Sequence, residues 1–78
     1  MSGARLPVAS GKDVVRALRK AGFVVDRIAG SHHVMVFPGD PTRTVTVPVH
    51  GAQDLKPGTL RSIIRQARLS LDEFADFL

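Results

Sequence analysis

The chain has 78 residues, with eleven Lys and Arg against seven Asp and Glu, and it contains no cysteine. This length accommodates one domain, because single hydrophobic cores usually need about 50 to 200 residues. The lack of cysteine excludes disulfides, thiolate metal sites and cysteine nucleophiles. No apolar run approaches the roughly 20 residues of a membrane span, and residues 1–7 lack the apolar core of a signal peptide, so we expect a soluble cytoplasmic domain.

The distribution of charge favours a polyanionic partner. Residues 1–69 carry all eleven basic residues and four of the seven acidic ones, a net charge of +7, whereas the charged residues of the last nine are all acidic. Such a basic excess is typical of nucleic-acid-binding domains, although it also serves simply to keep a small protein soluble.

The N-terminal part of the chain predicts a tail followed by a helix. Residues 1–9 have no periodicity and are predicted to be a mobile tail before a single domain over residues 10–78. Ser10 is predicted to cap the first helix, which has an apolar stripe on one side and which Gly22 ends.

The pattern then changes to three short strands and two more helices. The β-branched and aromatic runs predict strands over residues 23–28, 32–37 and 43–49, with a dense turn signal over residues 38–41. Pro57 suits the first turn of a second helix, and Ser70 opens a capping-box sequence before a short third helix. We therefore expect an α+β fold in which a three-stranded antiparallel sheet carries both main helices on one face.

Several segments resemble the HicA family of bacterial toxins, which are small mRNA interferases with a double-stranded-RNA-binding-like fold. The similarity runs from about Ser10 to Phe74, although Arg68 stands where many members have glycine. The matching segments are Ser10-Gly11-Lys12-Asp13-Val14-Val15, Lys20-Ala21-Gly22-Phe23, Gly30-Ser31-His32-His33, Thr44-Val45-Thr46-Val47-Pro48-Val49-His50, Leu55-Lys56-Pro57-Gly58-Thr59-Leu60-Arg61-Ser62-Ile63 and Gln66-Ala67-Arg68-Leu69-Ser70.

This resemblance implies an endoribonuclease that cleaves RNA with one histidine and without a metal or other cofactor. It also implies a HicB-type antitoxin that covers the active site. The family's Gly-Ser-His pattern places the catalytic role on His32 and puts the hydroxyl of Ser31 beside the phosphate.

The chemistry fits an imidazole, because cleavage by the ribose 2′-OH needs a proton acceptor at that hydroxyl and a donor at the leaving oxygen. Histidine has an ordinary pKa of about 6.5 and can do either near neutrality. His32 and His33 are adjacent in a predicted strand, so their side chains lie on opposite faces. A four-residue turn over residues 39–42 would place His32 opposite Val49 on the valine face, and a slip of one residue would move it to the threonine face. Both registers stay open, and we prefer His32 to His33.

Further residues are candidates for contact with the RNA backbone. His50 follows the third strand and is either a second acid/base group, a phosphate contact or a loop residue. Lys56 precedes a helix N-terminus, where free amides and the helix dipole attract phosphate. Arg61 and Arg65 lie on one helix face and either bind phosphates or face solvent. A metal site formed by the three histidines is not expected, since no ligand spacing supports it.

Two alternatives to a ribonuclease toxin remain at this level. The first is a non-catalytic RNA-binding module, and the second is a protein-interaction domain whose basic surface receives an acidic partner. Salt-sensitive RNA binding without cleavage would distinguish the first from an enzyme.

Overall fold

A computed structural model of the protein describes residues 5–78. Its elements in chain order are α1 (Gly11–Lys20), β1 (Val24–Ala29), β2 (His32–Phe37), β3 (Asp40–Pro48), α2 (Pro57–Gln66) and α3 (Leu71–Phe77). The strands form one antiparallel sheet in the order β1-β2-β3, which confirms the predicted α+β class. Within residues 5–78 no helix is long and apolar enough to cross a membrane.

The predicted tail over residues 1–9 lies partly outside the described residues, since the description begins at residue 5. In the described part, Leu6 packs against the core and Ala9 is buried. The Ala9 carbonyl also accepts a hydrogen bond from the Leu55 amide at 2.9 Å. The chain thus contacts the domain before the predicted boundary at residue 10, while mobility of the tail stays a prediction.

The first helix begins and ends where the sequence predicts. The Ser10 hydroxyl accepts a hydrogen bond from the Asp13 amide, and the Asp13 carboxylate accepts one from the Ser10 amide, both at 3.2 Å. This reciprocal pair satisfies two amides that the first helical turn leaves free. Gly22 follows the C-cap with a φ of 109°, in the left-handed region that favours glycine, and so ends the helix.

The helices cover one face of the sheet. Val45 and Val47 of β3 are fully buried, whereas their neighbours Thr44 and Thr46 are exposed. The buried strand residues, which include Met35, share one core with side chains from all three helices, among them Val14, Leu18, Leu60, Ile63, Ile64 and Phe74. Since side chains alternate along a strand, the face that carries the threonines is free of helices. α3 packs on α1 and buries Phe74 completely.

The hairpin between β2 and β3 is tighter than the sequence predicts. Phe37 already pairs with Asp40, so only Pro38 and Gly39 form the turn. The four-residue turn over residues 39–42, which belongs to one of the two registers that the sequence leaves open, is not formed. Gly39 has a φ of 85°, and proline followed by glycine in this conformation is typical of a type II turn.

A register shift in the same hairpin determines which residues face each other farther along the ladder. Between Met35 and Phe37 the pairing becomes irregular, and the four residues 41–44 of β3 stand opposite Val36 alone. β3 therefore begins at Asp40 rather than at residue 43, and it ends at Pro48 rather than at residue 49. Its prolines are tolerated because β3 is an edge strand, where missing amides interrupt no central ladder.

Arg43 joins β3 to the end of α2. Its Nε donates a hydrogen bond to the Ala67 carbonyl at 3.0 Å. Its guanidinium carbon lies 3.9 Å from the ring centroid of Phe37 and 5.2 Å from that of Phe23. One side chain thus satisfies a helix-terminal carbonyl and stacks on two aromatic rings, a combination that a lysine cannot reproduce.

Candidate active site

The two-residue turn Gly30-Ser31 places His32 at one end of the sheet. Ala29 at the end of β1 pairs with His32, the first residue of β2, and Gly30 has the positive φ of 59° that a tight turn requires. On its other side, His32 pairs with Pro48 at the end of β3. His32 is therefore the middle member of a row of three residues across the end of the sheet, and its side chain is exposed.

The pairing decides between the two registers that the sequence leaves open. His32 lies opposite Pro48 and not opposite Val49, so it shares the face of Thr44 and Thr46 rather than the buried valine face. The irregularity that produces this register lies between Met35 and Phe37.

His33 has the opposite orientation. It pairs with Val47, whose side chain belongs to the core, and His33 itself is half-buried. Its Nδ1 atom is buried and has no hydrogen-bond partner among the described residues. Of the two adjacent histidines, the structure exposes His32 and turns His33 towards the helices.

Ser31 anchors the end of β3 through its backbone. Its carbonyl accepts a hydrogen bond from the Val49 amide at 2.6 Å, which extends the pairing of the two strands beyond His32 and Pro48. Its side chain makes no hydrogen bond within residues 5–78 that would commit the hydroxyl to a structural role.

A cavity of about 250 Å³ opens beside this end of the sheet. The cavity begins at Pro48, the residue paired with His32, and continues along the segment that joins β3 to α2. Its lining mixes polar, basic, acidic and apolar side chains: Pro48, His50, Gln53, Asp54, Leu55, Lys56 and Thr59. Both His50 and Lys56 are exposed, so two predicted contacts of the RNA lie together here.

The N-terminus of α2 contributes to the same cavity. Lys56 occupies the N-cap position and makes no side-chain capping bond, and Pro57 follows at the first helical position. α1, in contrast, is capped by a serine and an aspartate. The first amides of α2 are thus left free of side-chain caps beside Lys56, and both contribute positive potential to the cavity. The carboxyl of Asp54 lines the same cavity with the opposite charge.

Backbone contacts fix the cavity against the start of α1. Residues Ser10 and Asp54 form an isolated β-bridge, next to the hydrogen bond between Leu55 and Ala9. Gly11 lies so close to the end of β3 that a Cβ atom there would overlap the Pro48 carbonyl oxygen. The close approach of Gly11 was not foreseen from the residue pattern, although Gly11 belongs to the motif Ser10-Gly11-Lys12 that carries the family resemblance. Nothing in the sequence distinguishes Gln53 or Thr59 as lining residues.

Arg61 and Arg65 do not line this cavity. They lie along a second groove whose other residues are Leu6, Ile64, Leu69 and Leu71, and the two depressions have no residue in common. His50 and Lys56 therefore line one cavity, whereas the two arginines lie elsewhere on α2. His32 and Ser31 do not line this cavity, and His32 is linked to its edge by the pairing with Pro48.

The carboxyls with shifted pKa values are outside the candidate site. The Ser10 amide lowers the pKa of Asp13, the Thr42 hydroxyl lowers the pKa of Asp40, and the Ser70 amide lowers the pKa of Glu73. Two of these acids belong to helix capping boxes, and none lines the cavity beside Pro48. Within residues 5–78 no three His, Asp or Glu side chains are grouped closely enough to hold a metal ion.

The fold and the site describe a small α+β domain with an exposed histidine at a sheet end and a basic, uncapped helix N-terminus beside it. The family model described as the HicA toxin of bacterial toxin–antitoxin systems matches residues 11–69, which is more than half of the chain. The protein therefore belongs to the HicA toxin family, whose members are generally mRNA interferases and act in a pair with an antitoxin. No curated protein matches the chain closely enough to add to this assignment.

Proposed function

We propose that this toxin is a metal-independent endoribonuclease that cleaves mRNA with His32 as the catalytic acid/base and that a HicB-type antitoxin neutralises it. The observation that carries the proposal is the position of His32. Its imidazole is exposed at the end of the sheet, and its ladder partner Pro48 lines the cavity that also holds His50 and Lys56.

The proposed reaction is attack of a ribose 2′-oxygen on the adjacent phosphorus. His32 accepts the proton of the 2′-OH as the new O–P bond forms. The bond to the 5′-oxygen breaks, that oxygen takes up a proton, and the products are a 2′,3′-cyclic phosphate and a free 5′-hydroxyl. His50 is the candidate donor for the leaving oxygen, and one well-placed acid or base of this kind is worth about 10² to 10⁴ in rate.

Substrate binding is assigned to Ser31 and to groups of the cavity that is lined by Pro48, the ladder partner of His32. Lys56 and the uncapped amides of α2 offer positive potential for a phosphate, and the Ser31 hydroxyl is adjacent to His32 in the chain. No Phe, Tyr or Trp of residues 5–78 lines the cavity, so base stacking is limited to the imidazole of His50 and we expect little sequence preference. The contacts of Arg61 and Arg65 with RNA stay a prediction, because these side chains line a separate groove.

The test is cleavage of a fluorescently labelled single-stranded RNA by the purified toxin in EDTA. We expect cleavage with the chelator present and a loss of at least about 10²-fold in His32→Ala. Since the His32 side chain is exposed, the thermal unfolding midpoint of the His32→Ala variant should match that of the parent protein. His50→Ala, measured alongside, shows whether that residue contributes to the rate.

Two results would reject the proposal. Full cleavage by a folded His32→Ala variant would remove the catalytic assignment, and loss of cleavage in EDTA would remove the metal-independent mechanism. Salt-sensitive RNA binding without cleavage at any concentration would instead indicate a non-catalytic RNA-binding module.

A further inference from the structure

We propose that the second groove, along the outer side of α2, binds an acidic amphipathic segment of a partner protein. The identity of that partner as the antitoxin rests on the proposed function, whereas the chemistry of the segment follows from the groove alone. In this proposal Arg61 and Arg65 bind carboxylates of a partner protein and not phosphates of RNA.

The groove is an open depression with an apolar floor. Its volume is about 340 Å³, and its lining consists of Leu6, Ile64, Leu69 and Leu71 together with Arg61 and Arg65. Ile64 belongs to the core, and the three leucines are partly buried against it. The leucines therefore continue the hydrophobic core to the surface, where an apolar side chain from another molecule would be removed from water.

Two free positive charges border this floor. Arg61 and Arg65 are both exposed and lie one helical turn apart on α2. The ion pairs found within residues 5–78 join Arg16 to Asp13 and Arg68 to Asp40, and neither includes Arg61 or Arg65. α3 carries three acids, Asp72, Glu73 and Asp76, and none of them forms an ion pair with Arg61 or Arg65 within residues 5–78. Glu73 accepts a hydrogen bond from the Ser70 amide.

The ligand that complements this arrangement carries apolar side chains on one stripe and carboxylates beside them. Aliphatic grooves of this kind receive the apolar face of an amphipathic helix, with anchors three, four and seven residues apart. Arginine pairs with a carboxylate through two parallel hydrogen bonds, so two arginines at this spacing also determine the orientation of the segment.

RNA is the less suitable occupant. Within residues 5–78 the groove has no aromatic side chain on which a base could stack, and its floor is aliphatic. It also shares no residue with the cavity beside Pro48, so nucleotides bound in the groove would not themselves touch the residues that line that cavity.

The test uses a synthetic peptide of about four helical turns, with leucines on one face and glutamates flanking them, titrated into ¹⁵N-labelled protein. We expect NMR shifts concentrated at the amides of Ile64, Leu69 and Leu71. Affinity should fall at least about tenfold in Arg61→Gln/Arg65→Gln, which corresponds to the loss of charge pairs at an interface. The matched control Arg19→Gln/Lys20→Gln removes two exposed charges of α1 and should bind like the parent. A peptide with glutamine in place of every glutamate should bind as weakly as the arginine variant does.

Three outcomes would overturn this inference. The first is the absence of peptide-induced NMR shifts in the groove, and the second is equal peptide binding by the parent and the arginine variant. The third is that a single-stranded RNA shifts the NMR signals of the same amides in the parent but no longer binds the arginine variant. A failure of the proposed function appears separately, as full cleavage by His32→Ala, and leaves the peptide titration unaffected.

Discussion

His32 and Pro48 stand opposite each other across the β2–β3 ladder, at the end of the sheet where α1 begins. Behind this pair, a Cβ atom on Gly11 would overlap the Pro48 carbonyl oxygen and would lie 2.9 Å from the Cα of Val49. The candidate catalytic histidine is therefore supported by a backbone-to-backbone contact that glycine permits and that a larger residue would disturb.

Gly11→Ala should reduce both stability and RNA cleavage. The added methyl group meets backbone, which cannot rotate away, so either α1 or the end of β3 must move. We expect a loss of about 1 to 3 kcal/mol in the free energy of unfolding, measured by urea denaturation. Cleavage should fall further than the unfolded fraction accounts for, because Pro48 is displaced from His32.

Gly58→Ala is the matched control for this substitution. Gly58 lies in the first turn of α2, and a Cβ atom there would meet nothing within 4 Å. Alanine is also the better helix former, so stability should be unchanged or slightly higher. Equal effects of the two substitutions would show that the contact between Gly11 and Pro48 has no special role.

His33→Leu should stabilise the domain and leave RNA cleavage intact. The substitution removes a buried Nδ1 atom that has no partner among the described residues, and it places an apolar side chain beside Val47. Removal of a buried unsatisfied polar atom is worth about 1 kcal/mol, which urea denaturation resolves. His32→Leu should give the reverse result, with unchanged stability and lost cleavage. Loss of cleavage in His33→Leu at full stability would transfer the catalytic assignment to His33.

Arg68→Gly should raise stability. Arg68 has a φ of 58°, a left-handed conformation that costs about 1 kcal/mol or more for a residue with a Cβ atom. Its ion pair with Asp40 is exposed and long, at 4.0 Å, and contributes little. We expect a gain of up to about 1 kcal/mol in the free energy of unfolding.

Arg65→Gly makes the same chemical change inside α2 and should lower stability by about 1 kcal/mol, because glycine is a poor helix former. The pair separates the effect of backbone conformation from the effect of losing an arginine. Two changes of the same sign would contradict the explanation from φ.

Stability should decrease in acid because of the two capping boxes. The Ser10 amide lowers the pKa of Asp13, and the Ser70 amide lowers the pKa of Glu73. A carboxyl whose pKa is lowered on folding contributes stability above its ordinary pKa, and this contribution disappears as the pH falls through the lowered value. Urea denaturation should therefore show a falling free energy of unfolding below about pH 4.

The variant Asp13→Asn/Glu73→Gln keeps hydrogen-bond acceptors at both caps but cannot titrate. Its stability should depend less on pH than that of the parent. Part of the dependence should remain, because the Thr42 hydroxyl also lowers the pKa of Asp40. An unchanged pH profile in this variant would show that the capping carboxyls are not its source.

Local signals in the sequence predict the order and type of the elements well. Ser10 caps α1 as expected, and Ser70 forms the expected capping box of α3. In both cases an acid three residues later completes a capping box. Gly22 ends α1 as expected, and the alternation of valine and threonine in β3 corresponds to a buried and an exposed face. These features depend on residues close in sequence, which is why pattern reasoning finds them.

The register of the β2–β3 hairpin could not be predicted in the same way. Asp40 follows the turn and pairs with Phe37, whereas residues 41–44 of β3 face Val36 alone. Because of this irregular pairing, the length of the turn does not predict that His32 pairs with Pro48. The sequence predicts the N-terminus of α2 after Lys56, but its position beside the end of β3 depends on contacts between residues far apart in the chain. The separation of Arg61 and Arg65 from Lys56 on the same helix likewise becomes visible only once the grooves are formed.

The complete burial of Phe74 in α3 has a genetic consequence. A stop codon anywhere upstream of that phenylalanine would remove α3 and expose the part of the core that Phe74 covers next to α1. We expect the truncated chain to be too unstable to accumulate. Selection for cells that escape this toxin should therefore yield truncations of the final helix as well as substitutions at the histidine, although the two sites share no chemistry.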